Sequence, residues 1–161
     1  MIDIIVNDAP VSLDLPEDAN LLDVLRNHLG LFGSRFGCGA EQCGCCMVLV
    51  DDAAVPSCAQ SLDAVAGRSI RTVEGLGTPD VPHALQTAFL EEQAGQCGYC
   101  LSGMLIASAA LLMANPAPDE NAVRGALEGN LCRCGSHNRI IRAVLRAAEA
   151  MHAATSAQTN G

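Results

Sequence analysis

Tryptophan is absent from the sequence, and one tyrosine with three phenylalanines is all its aromatic material. A core must therefore be built from Ala, Leu, Val and Ile, which suits small helical and mixed layers better than an aromatic-lined cleft. Basic residues are scarce as well: nine Lys and Arg face eighteen Asp and Glu, a formal net charge of -9. Phosphate binding needs clustered Lys and Arg, so nucleic acid is set aside as a partner. Acidity of this kind serves solubility first. Long apolar runs are missing too. "LIASAALLMA" (105–114) falls short of the ~20 residues that span a bilayer, which argues against direct membrane insertion. "MIDIIVNDAP" has no basic segment leading into an apolar run, so no signal peptide is read there, and a cytoplasmic chain is expected.

Cysteine is what the sequence has in plenty, with nine in 161 residues. In a reducing compartment structural disulfides are disfavoured, and clustered thiols hold metal or do redox chemistry. The odd number leaves at least one cysteine outside any pairing scheme.

The chain divides in two. "IDIIV" (2–6), the turn "NDAP" and "VSLDL" (11–15) read as a hairpin. Asn20 can cap a helix through "LLDVLRNHLG", which Gly30 stops. After a glycine-rich stretch come "MVLV" (47–50), the turn "DDAA" and "SIRTV" (69–73), further strand candidates. Asp51-Asp52 is then a turn rather than a carboxylate pair. "EGLGTPDVPH" (74–83) reads as a linker. Four helical patterns follow, at 83–94, 101–114, 119–128 with Asp119 as cap, and 137–151 with Ser136 as cap. In the last, Ile140, Ile141, Val144, Leu145 and Ala148 share one face. The expected fold class is α+β, with an α+β unit over 1–75, a helical unit over 76–152 and a frayed tail over 153–161.

The cysteines fall into two sets, one per unit. Cys38, Cys43 and Cys46 are spaced C-x4-C-x2-C, with Cys58 at a distance, the plant-type arrangement for a [2Fe-2S] cluster. A diiron centre needs four thiolates on two irons, so three come from one loop wrapped tightly around it. Gly37, Gly39 and Gly44 permit the backbone angles such wrapping demands. Cys45 is left over and reads as a small buried apolar residue pointing away. In the second set, Cys97 and Cys100 ("QCGYC") and Cys132 and Cys134 ("LCRCG") each precede an expected helix, whose positive end favours an anionic cluster. Structural zinc remains an alternative on spacing alone, since four thiolates also hold Zn²⁺.

"GCGAEQCGCC" with Cys58, "QCGYCLSGM", "GNLCRCGSHNRI" and the intervening "TVEGLG" together resemble the iron–sulfur subunits of the molybdenum hydroxylases, the xanthine oxidase family, over residues 1–150 or so. Within it, "CRCG" followed by His leans toward the two-chain enzymes of the nicotinate and isoquinoline kind. The resemblance implies an N-terminal β-grasp ferredoxin-like domain, a C-terminal four-helix [2Fe-2S]-binding domain and two [2Fe-2S] clusters. The partner it implies is a large molybdopterin-binding subunit, with molybdopterin cytosine dinucleotide contacted from this chain by Gln96. A merely solvated Gln96 is the plainer alternative. Electrons would run through the helical-domain set, then the β-domain set, to an acceptor such as a cytochrome, and this chain would have no catalytic residue of its own. A free two-cluster carrier is the rival reading. The chain departs from the family pattern at Glu41 (often Gly), at Cys45 (mostly Ala), and at Gly135-Ser136-His137 (Thr-Gly-Tyr in the larger family). His137 reads as a cap or interface residue.

Overall fold

The computed structural model describes residues 1–159. The first half is a five-stranded sheet of order β2-β1-β5-β3-β4, built from β1 (Ile2–Val6), β2 (Ala9–Leu13), β3 (Met47–Val50), β4 (Ala53–Pro56) and β5 (Ser69–Arg71). β1 and β5 run parallel, and the pairs β1–β2, β3–β4 and β3–β5 antiparallel. The alternation in "IDIIV" places Ile2, Ile4 and Val6 on the face packed against Leu21, Val24 and Leu25, which is the β-grasp arrangement of one helix across one sheet.

Both hairpins are tighter than the sequence suggests. Asn7-Asp8 and Asp51-Asp52 all have positive φ, the signature of two-residue turns whose twist matches the flanking strands. The turn "NDAP" therefore closes after Asp8, and β2 begins at Ala9 rather than at 11. In the same way "DDAA" contracts to its two aspartates and releases Ala53 and Ala54 into β4. Pro10 is tolerated because β2 is an edge strand.

The helix after Asn20 starts as expected, with Asn20 Oδ1 accepting from the N–H groups of Leu22 and Asp23. After one turn, α1 (Leu21–Asp23), it widens into a π-helical segment over Val24–His28. Leu29 N–H bonds the carbonyl of Val24 and Leu31 N–H that of Leu25, each reaching farther back than the i→i−4 bond of an α-helix. Gly30, at φ 69°, makes the exit.

The segment read as a linker is tied down. Asn7 donates to Thr72 Oγ1 and accepts from Thr72 N–H, while the Glu74 carboxylate accepts from Gly33 N–H at 2.6 Å and from the Thr72 hydroxyl. The helices beyond are α2 (Ala84–Glu91), α3 (Leu101–Ala114), α4 (Glu120–Ala126) and α5 (His137–Thr159). Ile140, Val144 and Ala148 pack among Leu85, Phe89 and Met104, and Leu145 is partly buried at the edge of that core. Glu92 pairs with Arg142 and Arg146 outside it. The core-facing helix continues past its expected end: α5 reaches Thr159, so most of the supposed tail over 153–161 is helical, while 160–161 lie outside the described residues. Among the described residues no helix is long and apolar enough to cross a membrane.

Candidate metal centres

The loop between the first helix and β3 is wound around its own sulfurs. The N–H groups of Ala40 and Gln42 both point at Cys38 Sγ, 3.3 Å away, and Cys38 N–H points at Cys43 Sγ at 3.4 Å. Glu41 lies between the first two donors in the left-handed region, φ 60°, and this turn aims both inward. The Ala40 and Gln42 donors outweigh desolvation and hold the Cys38 thiol down to about 7. A Cβ on Gly37 would stand 2.6 Å from Cys43 Sγ, so only glycine leaves the sulfur room.

Cys46 and Cys58 meet on the inner side of the loop. Burial pushes the Cys46 thiol up to about 11 despite a backbone donor from Cys58. Cys58 sits on a 3₁₀ turn, Ser57–Ala59, anchored by the Ser57 hydroxyl on the Cys46 carbonyl at 2.7 Å. Asn20 Nδ2 also donates to the Cys58 carbonyl at 2.7 Å, so the helix cap is a brace for a distant cysteine. Cys45 is buried as expected, with its thiol raised to about 12 by burial and then by Cys43. It does not point clear of the loop, since its sulfur lies against Gly37 and Cys43.

In the second half, Cys97 interacts with Cys134 and Cys100 with Cys132, and Cys97 also feels Cys132. The backbone N–H of Tyr99 and then Cys134 lower the Cys97 thiol; burial raises Cys100 to about 12. For Cys132, burial works upward, but Ser136 N–H at 3.5 Å and the neighbouring Cys100 and Cys134 bring the net shift down. The structure thus brings Cys97, Cys100, Cys132 and Cys134 together from two loops more than 30 residues apart. Among the described residues no three such side chains close around a single ion. A two-iron cluster spreads its four thiolates over two metals and asks for no such point. The inward N–H groups and the sulfur-sized space at Gly37 suit an anionic sulfur-rich group.

Ser136 does not cap α5 with its side chain. Its carbonyl accepts from Arg139 and Ile140 N–H, while its buried hydroxyl has no partner of hydrogen-bonding geometry among the described residues. His137 opens α5 with Nε2 3.2 Å from the Asn130 carbonyl. Gln96 is exposed and donates from Nε2 to the Cys134 carbonyl at 3.3 Å. It lines a groove of about 760 Å³ with Gln86, Phe89, Leu90, Gln93 and Leu101.

The two cysteine loops touch. Leu131 N–H donates to the Cys43 carbonyl at 3.0 Å, and Asn130 Nδ2 donates to the Gly44 carbonyl at 3.2 Å. A Cβ on Gly103 would lie 1.8 Å from the Gly44 oxygen, so α3 packs directly on the first loop. Arg35 donates to the Gly98 carbonyl, and the Tyr99 hydroxyl to the Phe36 carbonyl. Sequence reasoning missed these residues because their partners are about 60 to 90 positions away and no local pattern marks them.

Residues 4–70 match the model of a 2Fe-2S iron-sulfur cluster binding domain, and 72–145 that of a [2Fe-2S] binding domain. The chain therefore carries two [2Fe-2S] sites. It is 49% identical over 144 residues to a nicotinate dehydrogenase subunit from Pseudomonas putida, covering 89% of this chain and 92% of that one. The structure of quinoline 2-oxidoreductase from Pseudomonas putida 86 superposes with TM-score 0.88 at 39% identity, over 92% of this chain and 93% of the matched one. The aldehyde oxidoreductase from Desulfovibrio desulfuricans superposes with TM-score 0.92 at 37% identity, over 94% of this chain and 17% of that much longer one. With both halves matched in order and two of these relatives covered almost end to end, the chain belongs to the family of [2Fe-2S] electron-transfer subunits of the molybdenum hydroxylases.

Proposed function

We propose that Cys38, Cys43, Cys46 and Cys58 hold one [2Fe-2S] cluster and Cys97, Cys100, Cys132 and Cys134 the other, and that electrons cross this chain from the second set to the first. Bound there, each cluster supplies one-electron redox capacity and no acid–base chemistry. The observation that carries the reading is the contact between the loops. From Cys43 to Cys132 the path is one peptide carbonyl, one hydrogen bond of 3.0 Å and one residue.

The source of the electrons on this reading is molybdopterin cytosine dinucleotide in a large partner subunit. Gln96 supports it: one amide N–H is spent on the Cys134 carbonyl, which leaves the other N–H and the carbonyl oxygen free to meet a group docked at the groove. Exposed Leu90 and Val81 beside that groove suit burial under a protein partner. Nicotinate and quinoline in the names of the relatives favour an N-heteroaromatic as substrate of the complex, hydroxylated with oxygen from water. Isoquinoline, of the same N-heteroaromatic class, or an aldehyde is the alternative to nicotinate, and a cytochrome is a suitable final acceptor. The reducing cytoplasm, where thiols stay available as ligands, is the compartment assigned on this reading.

The test is anaerobic purification of the complex by a tag on this chain, followed by nicotinate, isoquinoline and a simple aldehyde in turn. Bleaching of the iron–sulfur absorption by an N-heteroaromatic, with a molybdenum protein copurifying, is the expected result. Bleaching by dithionite alone, with no large subunit present, would leave the free carrier as the better account.

A further inference from the structure

Ser136 stands where a helix cap belongs and does not cap. A serine before the first turn ordinarily gives its side-chain oxygen to the N–H two or three residues on. Here the backbone carbonyl serves α5, and the side chain, 2% exposed, is turned into the protein with its hydroxyl unpartnered. A hydroxyl buried without a partner has lost its water bond on folding and gained nothing; among the described residues Ser34, Ser102, Ser108 and Ser136 carry one, and Ser136 is the one whose own N–H points at a cysteine sulfur. A group bound at this site would fill that need.

The neighbouring atom is a sulfur. Gly135, at φ 73°, turns the chain after Cys134 so that Ser136 doubles back on Cys132, and its N–H already points at Cys132 Sγ from 3.5 Å. We infer that Ser136 is a positioning residue for redox tuning, its hydroxyl donating a hydrogen bond to Cys132 Sγ once that sulfur is a cluster ligand. The inference rests on the assignment of a [2Fe-2S] cluster to the helical-domain set. A one-electron reduction puts added negative charge partly on the sulfurs, where a hydrogen-bond donor stabilises it more than it stabilises the oxidised state. The donor therefore raises the potential of this cluster, making it the readier acceptor for electrons entering from the helical side. The first loop is served differently. Its hydroxyl near a sulfur, that of Ser57 beside Cys46, is already spent on the Cys46 carbonyl, and Cys38 and Cys43 receive backbone N–H groups.

The experiment is an EPR-monitored redox titration of the purified complex, with iron and acid-labile sulfide measured on the same samples. Ser136→Ala is expected to keep iron and sulfide at wild-type level and to shift one cluster's midpoint downward, leaving the other in place. The shifted signal should be the one that Cys134→Ser abolishes. Ser136→Thr, which keeps the hydroxyl, should restore the wild-type midpoint. An unchanged midpoint in the Ala variant, an equal shift of both clusters, or a Thr variant that behaves like Ala would each overturn the inference. If the Ala variant fails to load, Ser136→Cys is read instead: a weaker donor there gives a smaller downward shift, and no shift overturns the proposal. Wild-type complex without labile sulfide would mark the separate failure of the cluster assignment.

Discussion

Glu41 shows how a single residue in the first loop is constrained by its backbone rather than its side chain. It is exposed and holds a left-handed φ of 60°, which costs a residue with a Cβ about 1 to 2 kcal/mol. That conformation is what turns Ala40 and Gln42 N–H toward Cys38. Glycine adopts it freely but loses more entropy on folding, so the two effects largely cancel. Glu41→Gly is therefore expected to change stability by less than about 1 kcal/mol, whereas the β-branched Glu41→Ile should cost about 2 kcal/mol or more. Thermal unfolding of the two variants with clusters intact checks this, and equal effects would refute it. The grouping of eight cysteines into two sets could be read because spacing is a local property; the structure sets Cys38 beside Cys43, Cys46 beside Cys58, Cys97 beside Cys134 and Cys100 beside Cys132. The need for a positive φ at position 41 shows only through the family pattern, which often has Gly there; Glu itself gives no sign of it.

At the scale of elements, the helical half was easier to read than the sheet. A 3.6-residue apolar period persists over the core-facing part of α5, and Ile140, Ile141, Val144 and Ala148 are buried where it put them. Strand limits shifted because Asn and Asp tolerate left-handed turns that close in two residues, which composition alone does not reveal. The start of α2 carries a charge-dependent device. His83 Nδ1 accepts from Leu85 N–H at 3.1 Å, and Gln86 Oε1 accepts from His83 N–H at 2.8 Å, a reciprocal cap that needs a neutral imidazole. Burial, and then Arg71, lower the His83 pKa below its ordinary 6.5. Between that value and the depressed one, the unfolded chain binds a proton that the folded chain refuses, so the contribution of His83 to stability is lost as the pH drops below 6.5 and is constant well above it. Asn caps without titrating. His83→Asn should match the wild type at pH 7.5 and lose less stability on going to pH 5.5, as read by thermal unfolding; parallel losses would show that His83 does not titrate in this way.

The whole molecule is organised around the place where its halves meet. Two matched domains and their order were legible, but their seam was not, since every contact in it joins residues far apart in sequence and several run through the backbone. Asn130, Leu131, Arg35, Tyr99 and the bare surface of Gly103 all bear on loops that carry the cysteines. Cluster binding adds its free energy to the folding of whatever holds the ligands, as metal binding does in small metal domains. Because the Gly44 carbonyl is gripped by Asn130 and covered by α3, and the Cys43 carbonyl by Leu131, loss of order in the second loop removes partners from the first. A carbonyl left without a donor inside a protein costs about 1 to 3 kcal/mol; that of half-buried Cys43 stands to lose Leu131 N–H, while that of Gly44 loses Asn130 and keeps Met47 N–H at 3.4 Å. Cys134→Ser, which leaves the first set of cysteines untouched, is accordingly expected to lower the temperature at which the remaining cluster bleaches by several degrees. Visible absorbance during heating of the purified complex reads this directly. A bleaching temperature equal to that of the same cluster in wild type would mean that the halves are merely adjacent; a lowered one means that each cluster is held in part by the fold of the other.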